Sequence, residues 1–123
     1  MKFYKCNHCG NVITKIIYKN VPVVCCGEPM VELTANSIDA AMEKHKPVIK
    51  TEGNKATISV GSVEHPMTVE HYIEFIAIQF NDREGIIHLK PNDKPIVEIQ
   101  LKDGQKIDKV YAYCNQHGLW EAE

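Results

Sequence analysis

His71-Tyr72-Ile73-Glu74-Phe75-Ile76-Ala77-Ile78-Gln79-Phe80, followed by Asn81-Asp82 and then Gly85-Ile86-Ile87-His88-Leu89, reads as two strands joined by a turn. Outward from this pair, further candidate strands lie at Val48–Thr51, Lys55–Val60, Ile96–Leu101 and Ile107–Cys114, with a last edge at Leu119–Glu121. The breaks between them, among them Lys90-Pro91-Asn92-Asp93 and Asp103-Gly104, are rich in turn residues. Strands at this spacing, with no long amphipathic helix among them, predict a mainly β protein containing an immunoglobulin-like β-sandwich. Upstream, Ser37–Glu43 reads as one short helical turn capped by Asn36 or Ser37.

The first 36 residues carry four of the five cysteines, and residues 37–123 carry five of the six histidines. That shift predicts two domains, 1–36 and 37–123. The first is too short for a substantial core and calls for a staple. Short strands are expected there at Asn11–Ile17 and Val21–Val24, with tight turns at Gly10 and Gly27. With 14 Lys plus Arg against 16 Asp plus Glu, the net charge is −2, which gives no broad pull toward nucleic acid or an anionic membrane. The Met1–Cys6 start lacks the apolar run of a secretory signal, and no stretch reaches the roughly 20 apolar residues of a membrane span. A soluble cytoplasmic protein is expected. In that reducing compartment an odd set of five cysteines points to metal ligation rather than disulfides.

Cys6-x-x-Cys9 and Cys25-Cys26 offer four thiolates, a set that suits tetrahedral zinc or iron. The second pair is adjacent, so both sulfurs reach one ion only if the backbone twists between them. Spacing alone favours a structural zinc staple over a redox iron. A vicinal Cys25–Cys26 disulfide is a weaker reading.

The second candidate set is His45, His65, His71, His117 and Cys114. Cys114-Asn115-Gln116-His117 leaves a strand with ligand spacing, His65 and His71 bracket a loop entering the longest strand, and His45-Lys46-Pro47 lies where the linker enters the sandwich. Imidazole and thiolate together suit zinc, copper or iron. Five donors exceed what a structural zinc needs, whereas iron accepts four imidazoles in a plane, an axial thiolate and an open sixth position. A thiolate opposite that position pushes electron density toward a bound oxygen species. His8 and His88 fit neither set and read as surface residues, and Tyr72 and Trp120 read as sandwich core.

With its motifs taken in order, the chain resembles the superoxide reductases of the two-iron desulfoferrodoxin family. The resemblance rests on Tyr4-Lys5-Cys6-Asn7-His8-Cys9-Gly10, Cys25-Cys26-Gly27-Glu28-Pro29-Met30, Glu43-Lys44-His45-Lys46-Pro47, Gly61-Ser62-Val63-Glu64-His65-Pro66-Met67, His71-Tyr72-Ile73-Glu74 and Tyr113-Cys114-Asn115-Gln116-His117-Gly118-Leu119-Trp120. It implies a desulforedoxin-like first domain in which Cys6, Cys9, Cys25 and Cys26 hold a rubredoxin-like iron. It implies a catalytic iron with His45, His65, His71 and His117 equatorial and Cys114 axial, two irons per chain in all, with zinc able to replace iron in recombinant protein.

The implied activity is one-electron reduction of superoxide to hydrogen peroxide, a step in oxygen detoxification. Lys44 would attract superoxide and help protonate or hydrogen-bond the product, and Glu43 would take the sixth position of the oxidised iron. A rubredoxin-like protein would return the electron, and the family's homodimer is carried over. Two other classes compete: a zinc-stapled interaction module, and an electron carrier using only the four-cysteine centre.

Overall fold

The computed structural model describes residues 1–123, which divide into two compact units, Met1–Thr34 and Ala35–Glu123. No helix is long and apolar enough to cross a membrane.

In the first unit, β1 (Phe3–Lys5) lies between β2 (Val12–Thr14) and β5 (Val31–Glu32), antiparallel to both. A separate two-residue ladder joins β3 (Val24–Cys25) to β4 (Glu28–Pro29). Both expected strands are shorter than the sequence suggests. Lys15 turns back after β2, its Nζ donating to the carbonyls of Lys19 at 2.8 Å and Val21 at 2.7 Å. It also lies 5.1 Å from the ring centres of Tyr4 and Tyr18. Ile16 and Ile17 therefore fall in an exposed loop instead of extending β2. At the second site Pro22 has no N–H for a ladder, and pairing starts only at Val24.

The second unit is an antiparallel sandwich of immunoglobulin-like type. One sheet has the order β10 (Ile96–Gln100), β7 (Lys55–Val60), β6 (Pro47–Glu52). The other runs β12 (Gly118–Ala122), β11 (Ile107–Cys114), β8 (Ile73–Phe80), β9 (Glu84–His88). Ile58 and Val60 of β7, Ile73, Ile76 and Ile78 of β8, and Val110, Ala112 and Cys114 of β11 form one buried cluster. Each fully buried isoleucine contributes about 1.5–3 kcal/mol by leaving water. On β11 the inward positions alternate, so Cys114 is the last member of the core row and ends it at one edge of the sandwich.

Opposite that end, β8 is irregular. Tyr113 pairs with Phe75 but Cys114 pairs with Ile73, so Glu74 is an extra residue in the strand. This bulge turns Ile73 onto the core face beside Cys114, where unbroken alternation would have placed Glu74.

The helical turn is displaced from its expected place. The structure has α1 at Met42–His45, not Ser37–Glu43, and its N-cap residue is Ala41 with no side-chain cap. Asn36 is occupied elsewhere: its Nδ2 donates to the Glu121 carbonyl at 3.3 Å and its Oδ1 accepts from the Glu121 N–H at 2.9 Å. These bonds place Asn36 with the second unit. Lys46, the residue before Pro47, is extended at φ −71° and ψ 125°, which stops the turn at His45.

Candidate metal centres

In the first unit the ligand atoms of Cys6, Cys9, Cys25 and Cys26 all lie within 4.8 Å of one another. The Cys6 carbonyl accepts from the Gly10 N–H at 2.9 Å, and the Cys9 N–H points at the Cys6 sulfur at 3.5 Å. The adjacent cysteines meet through a two-residue hairpin loop. Cys26 at φ 53° and Gly27 at φ 77° are both left-handed, joining the Cys25–Glu28 pair in the manner of a type I′ turn. That conformation is the backbone twist the vicinal pair requires. Backbone hydrogen bonding pulls the Cys6 thiol down to about 6, whereas sulfur–sulfur hydrogen bonds push Cys26 up to about 12. Four thiols so close resist deprotonation together, and a bound cation relieves that repulsion.

The second group gathers on the sandwich. Ligand atoms of His45, His65, His71 and Cys114 lie within 4.8 Å of one another. His117 joins them: its Nδ1 is 3.0 Å from His45 Nε2 and 4.0 Å from the Cys114 sulfur. The four imidazoles form a ring, each set edge-on to its neighbours. Centroids are 4.6 Å apart for His45–His65, 4.7 Å for His65–His71, 5.0 Å for His71–His117 and 4.9 Å for His117–His45. His45 and His71 face each other across it at 6.1 Å.

The chain fixes which ring nitrogens point inward. His45 Nδ1–H donates to the Ala41 carbonyl at 2.7 Å, and His65 Nδ1–H donates to the Pro66 carbonyl at 2.6 Å. Carbonyls only accept, so Nε2 of each ring is left with its lone pair. Nε2 of His65 and of His71 are buried with no hydrogen-bond partner. Buried nitrogens of this kind are costly unless something binds them. At 3.0 Å apart, His45 Nε2 and His117 Nδ1 are close enough to face one ion together. The residues present therefore fit a metal ion at both groups.

Burial is the main force on the imidazoles. It lowers His45 and His71, and takes His65 down to about 4. The other rings' charges act in the same direction, and the Lys44 charge reaches both His45 and His71. His45, His65 and His71 are thus neutral at neutral pH, each able to offer a ring lone pair. Burial pushes the Cys114 thiol up, and the backbone N–H groups of His117 and Gln116 oppose that. The His117 N–H lies 3.3 Å from the sulfur.

A pH dependence follows for metal-free protein. In the unfolded chain His65 takes its proton near 6.5, but in the fold only near 4. Between these values the unfolded state binds more protons, so stability falls as pH falls through that window and is level above it. Thermal unfolding scans should show the midpoint dropping between pH 6.5 and 4, and a midpoint that held steady there would contradict the assignment.

Glu43 and Lys44 precede His45 within α1, and both are exposed. His8 is exposed, its Nε2 3.3 Å from a Glu28 carboxylate oxygen, and His88 is exposed on β9; neither joins a ligand group. Trp120 is buried as expected, but it is more than core. Its indole stacks on His45 at 5.1 Å and 29°, and its Nε1–H donates to the His117 carbonyl at 3.0 Å. The signal lay in the β11–β12 register, where Trp120 pairs with Ala112 and so faces inward beside Cys114. Asn115, given no role of its own by the sequence, also holds the site together. Its Oδ1 accepts from the Tyr72 N–H at 3.0 Å and its Nδ2 donates to the Glu70 carbonyl at 3.0 Å, tying the Cys114 loop to the segment bearing His71.

Comparison with known proteins agrees over the whole chain. A family model described as Desulfoferrodoxin matches residues 37–123. A desulfoferrodoxin homolog of Archaeoglobus fulgidus is 42% identical over 99% of this chain and 96% of its own length. The desulfoferrodoxin of Nitratidesulfovibrio vulgaris is 43% identical over 99% and 95%. The crystal structure of the superoxide reductase from Treponema pallidum superposes with a TM-score of 0.82 at 29% identity, covering 99% of this chain and 98% of that one. With matches of this extent in both sequence and structure, the chain belongs to the desulfoferrodoxin family.

Proposed function

We propose that this protein reduces superoxide to hydrogen peroxide at a non-haem iron held by His45, His65, His71, His117 and Cys114. The observation that carries the reading is the ring of four imidazoles gathered with a buried thiol, with two ring nitrogens buried and unpartnered. Five donors are one more than a structural zinc uses, and the imidazole–thiolate set suits iron. Iron bound there supplies a single electron and a position for a small anion.

The chain supplies the rest. Lys44 is an exposed cation whose charge is felt at His45 and His71, and it draws the superoxide anion to the site. Peroxide forms when superoxide has gained one electron and two protons. The Lys44 ammonium would donate a hydrogen bond to the product, with solvent restoring any proton it gives. Glu43 provides a carboxylate to close the site after turnover. The ring nitrogens held by Ala41 and Pro66 keep the His45 and His65 imidazoles from rotating while charge changes beside them.

Each turnover consumes one electron, so an external donor is required, and a small carrier of rubredoxin type fits that need. Cys6, Cys9, Cys25 and Cys26 hold the second iron, zinc being able to take its place. The cytoplasm, expected from the sequence, and a homodimer, carried by the family resemblance, complete the reading.

The deciding measurement is peroxide formed per superoxide consumed by chemically reduced, iron-loaded protein. One peroxide per superoxide without oxygen release supports the reading; one per two with oxygen release indicates dismutation and removes it. Lys44→Ala should slow superoxide capture about tenfold at low ionic strength and flatten its salt dependence. A capture rate unchanged at every salt concentration would take Lys44 out of the mechanism.

A further inference from the structure

We propose that Gly61 is a positioning residue that sets the backbone of Glu43 and Lys44 beside the imidazole ring. The inference rests on the roles given above to Glu43 and Lys44, and it assigns the device that delivers them.

A Cβ on Gly61 would stand 2.5 Å from the Glu43 carbonyl oxygen, 2.9 Å from the Lys44 carbonyl carbon and 3.1 Å from the Glu43 carbonyl carbon. These are main-chain atoms, so no rotamer change makes room for a methyl group. Only glycine lets the two backbones approach this closely.

The contact is also bonded. The Glu43 carbonyl accepts from the Val63 N–H at 2.9 Å and from the Ser62 hydroxyl at 3.2 Å. The gripping turn is itself closed, by the Gly61 N–H on the Val63 carbonyl at 3.2 Å and the His65 N–H on the Val60 carbonyl at 3.0 Å. From the other side, the Lys46 N–H holds the Met42 carbonyl at 2.9 Å and His45 Nδ1–H holds that of Ala41 at 2.7 Å. Residues 41–46 are thus pinned at both faces, while the side chains of Glu43 and Lys44 remain exposed. The turn that grips Glu43 leads directly into His65, so one short segment sets both a ring member and the Glu43–Lys44 pair.

Two variants of the full-length protein test this. In Gly61→Ala the Val63 amide of the zinc-loaded form should exchange with solvent about tenfold faster. The visible spectrum of the ferric form should move toward that of Glu43→Ala, and superoxide capture should slow about tenfold or more, as displaced catalytic groups do. Ser62→Ala, which removes one donor without a clash, should move Val63 exchange the same way by roughly threefold. Wild-type exchange, spectrum and capture in a folded Gly61→Ala would overturn the proposal. Should that variant not fold, wild-type Val63 exchange in Ser62→Ala would do so. If Glu43→Ala itself leaves the ferric spectrum unaltered, the closing role of Glu43 falls, and Val63 exchange still decides whether Gly61 holds the backbone.

Discussion

Cys114→Ser is expected to abolish peroxide formation while leaving the sandwich folded. Serine is close to cysteine in size, and the side chain ends the buried row of Val110 and Ala112 at no exposure. The His117 N–H that points at the sulfur can point equally at a hydroxyl oxygen, so the turn carrying His117 keeps its shape. What is lost is charge and softness. Burial disfavours the Cys114 thiolate, and the Gln116 and His117 amides only partly offset this, so an ion bound there would have to drive deprotonation. A serine hydroxyl is far harder to ionise and donates little electron density. Outer-shell changes alone cost metal sites about 10–100-fold, and removal of the thiolate should exceed that, with loss of the visible thiolate absorption. Iron content and peroxide yield measured on one sample decide the matter. A variant that retains iron and still makes peroxide at the wild-type rate would leave the thiolate without a role.

The same end of the molecule shows what the sequence could and could not convey. Every strand from β6 to β12 was legible, because apolar runs broken by Asn-Asp, Pro-Asn-Asp or Asp-Gly leave few alternatives to short antiparallel strands. The five ligand candidates were legible as residue types, and the geometry places their rings and sulfur together. Illegible were the features created by contacts distant in sequence. The Glu74 bulge depends on which β11 residue faces which β8 residue, and a run such as Ile73-Glu74-Phe75-Ile76 carries no mark of it. Met42–His45 forms a turn because His45 binds the Ala41 carbonyl and the 61–63 segment grips Glu43, neither of which is a local capping signal. Asn36 looked like a cap, and instead its amide joins the edge of β12, 85 residues away. Local propensity is a weak prior wherever tertiary partners compete for the same groups.

Replacing Cys6 and Cys9 by serine is expected to unfold Met1–Thr34 while the second unit keeps its protection. The core of this unit barely exists. Within this unit only Phe3 at 2% and Cys6 at 3% are buried, and Cys6 is itself a proposed ligand. The larger apolar side chains point to solvent, with Ile16 at 95%, Ile17 at 76%, Val21 at 64% and Val24 at 62% exposure. Strands of two and three residues add few ladder bonds. Units shorter than about 40 residues generally cannot offset their conformational entropy without a metal or disulfides, whereas four thiolates on one ion return about 10–16 kcal/mol. The left-handed Cys26 also has to be held, since a non-glycine residue at φ 53° is unfavourable by itself. Hydrogen exchange on the full-length double variant should therefore show amides 1–34 exchanging as in an unfolded chain, and amides of β6–β12 unchanged. Persistent protection in 1–34 without metal would mean that packing, and not the ion, holds the unit. Peroxide formation by the chemically reduced variant separates structure from electron flow. A wild-type yield would assign the four-cysteine centre no part in the reaction at the imidazole ring, and a lost yield with the second unit intact would place it on the electron's route.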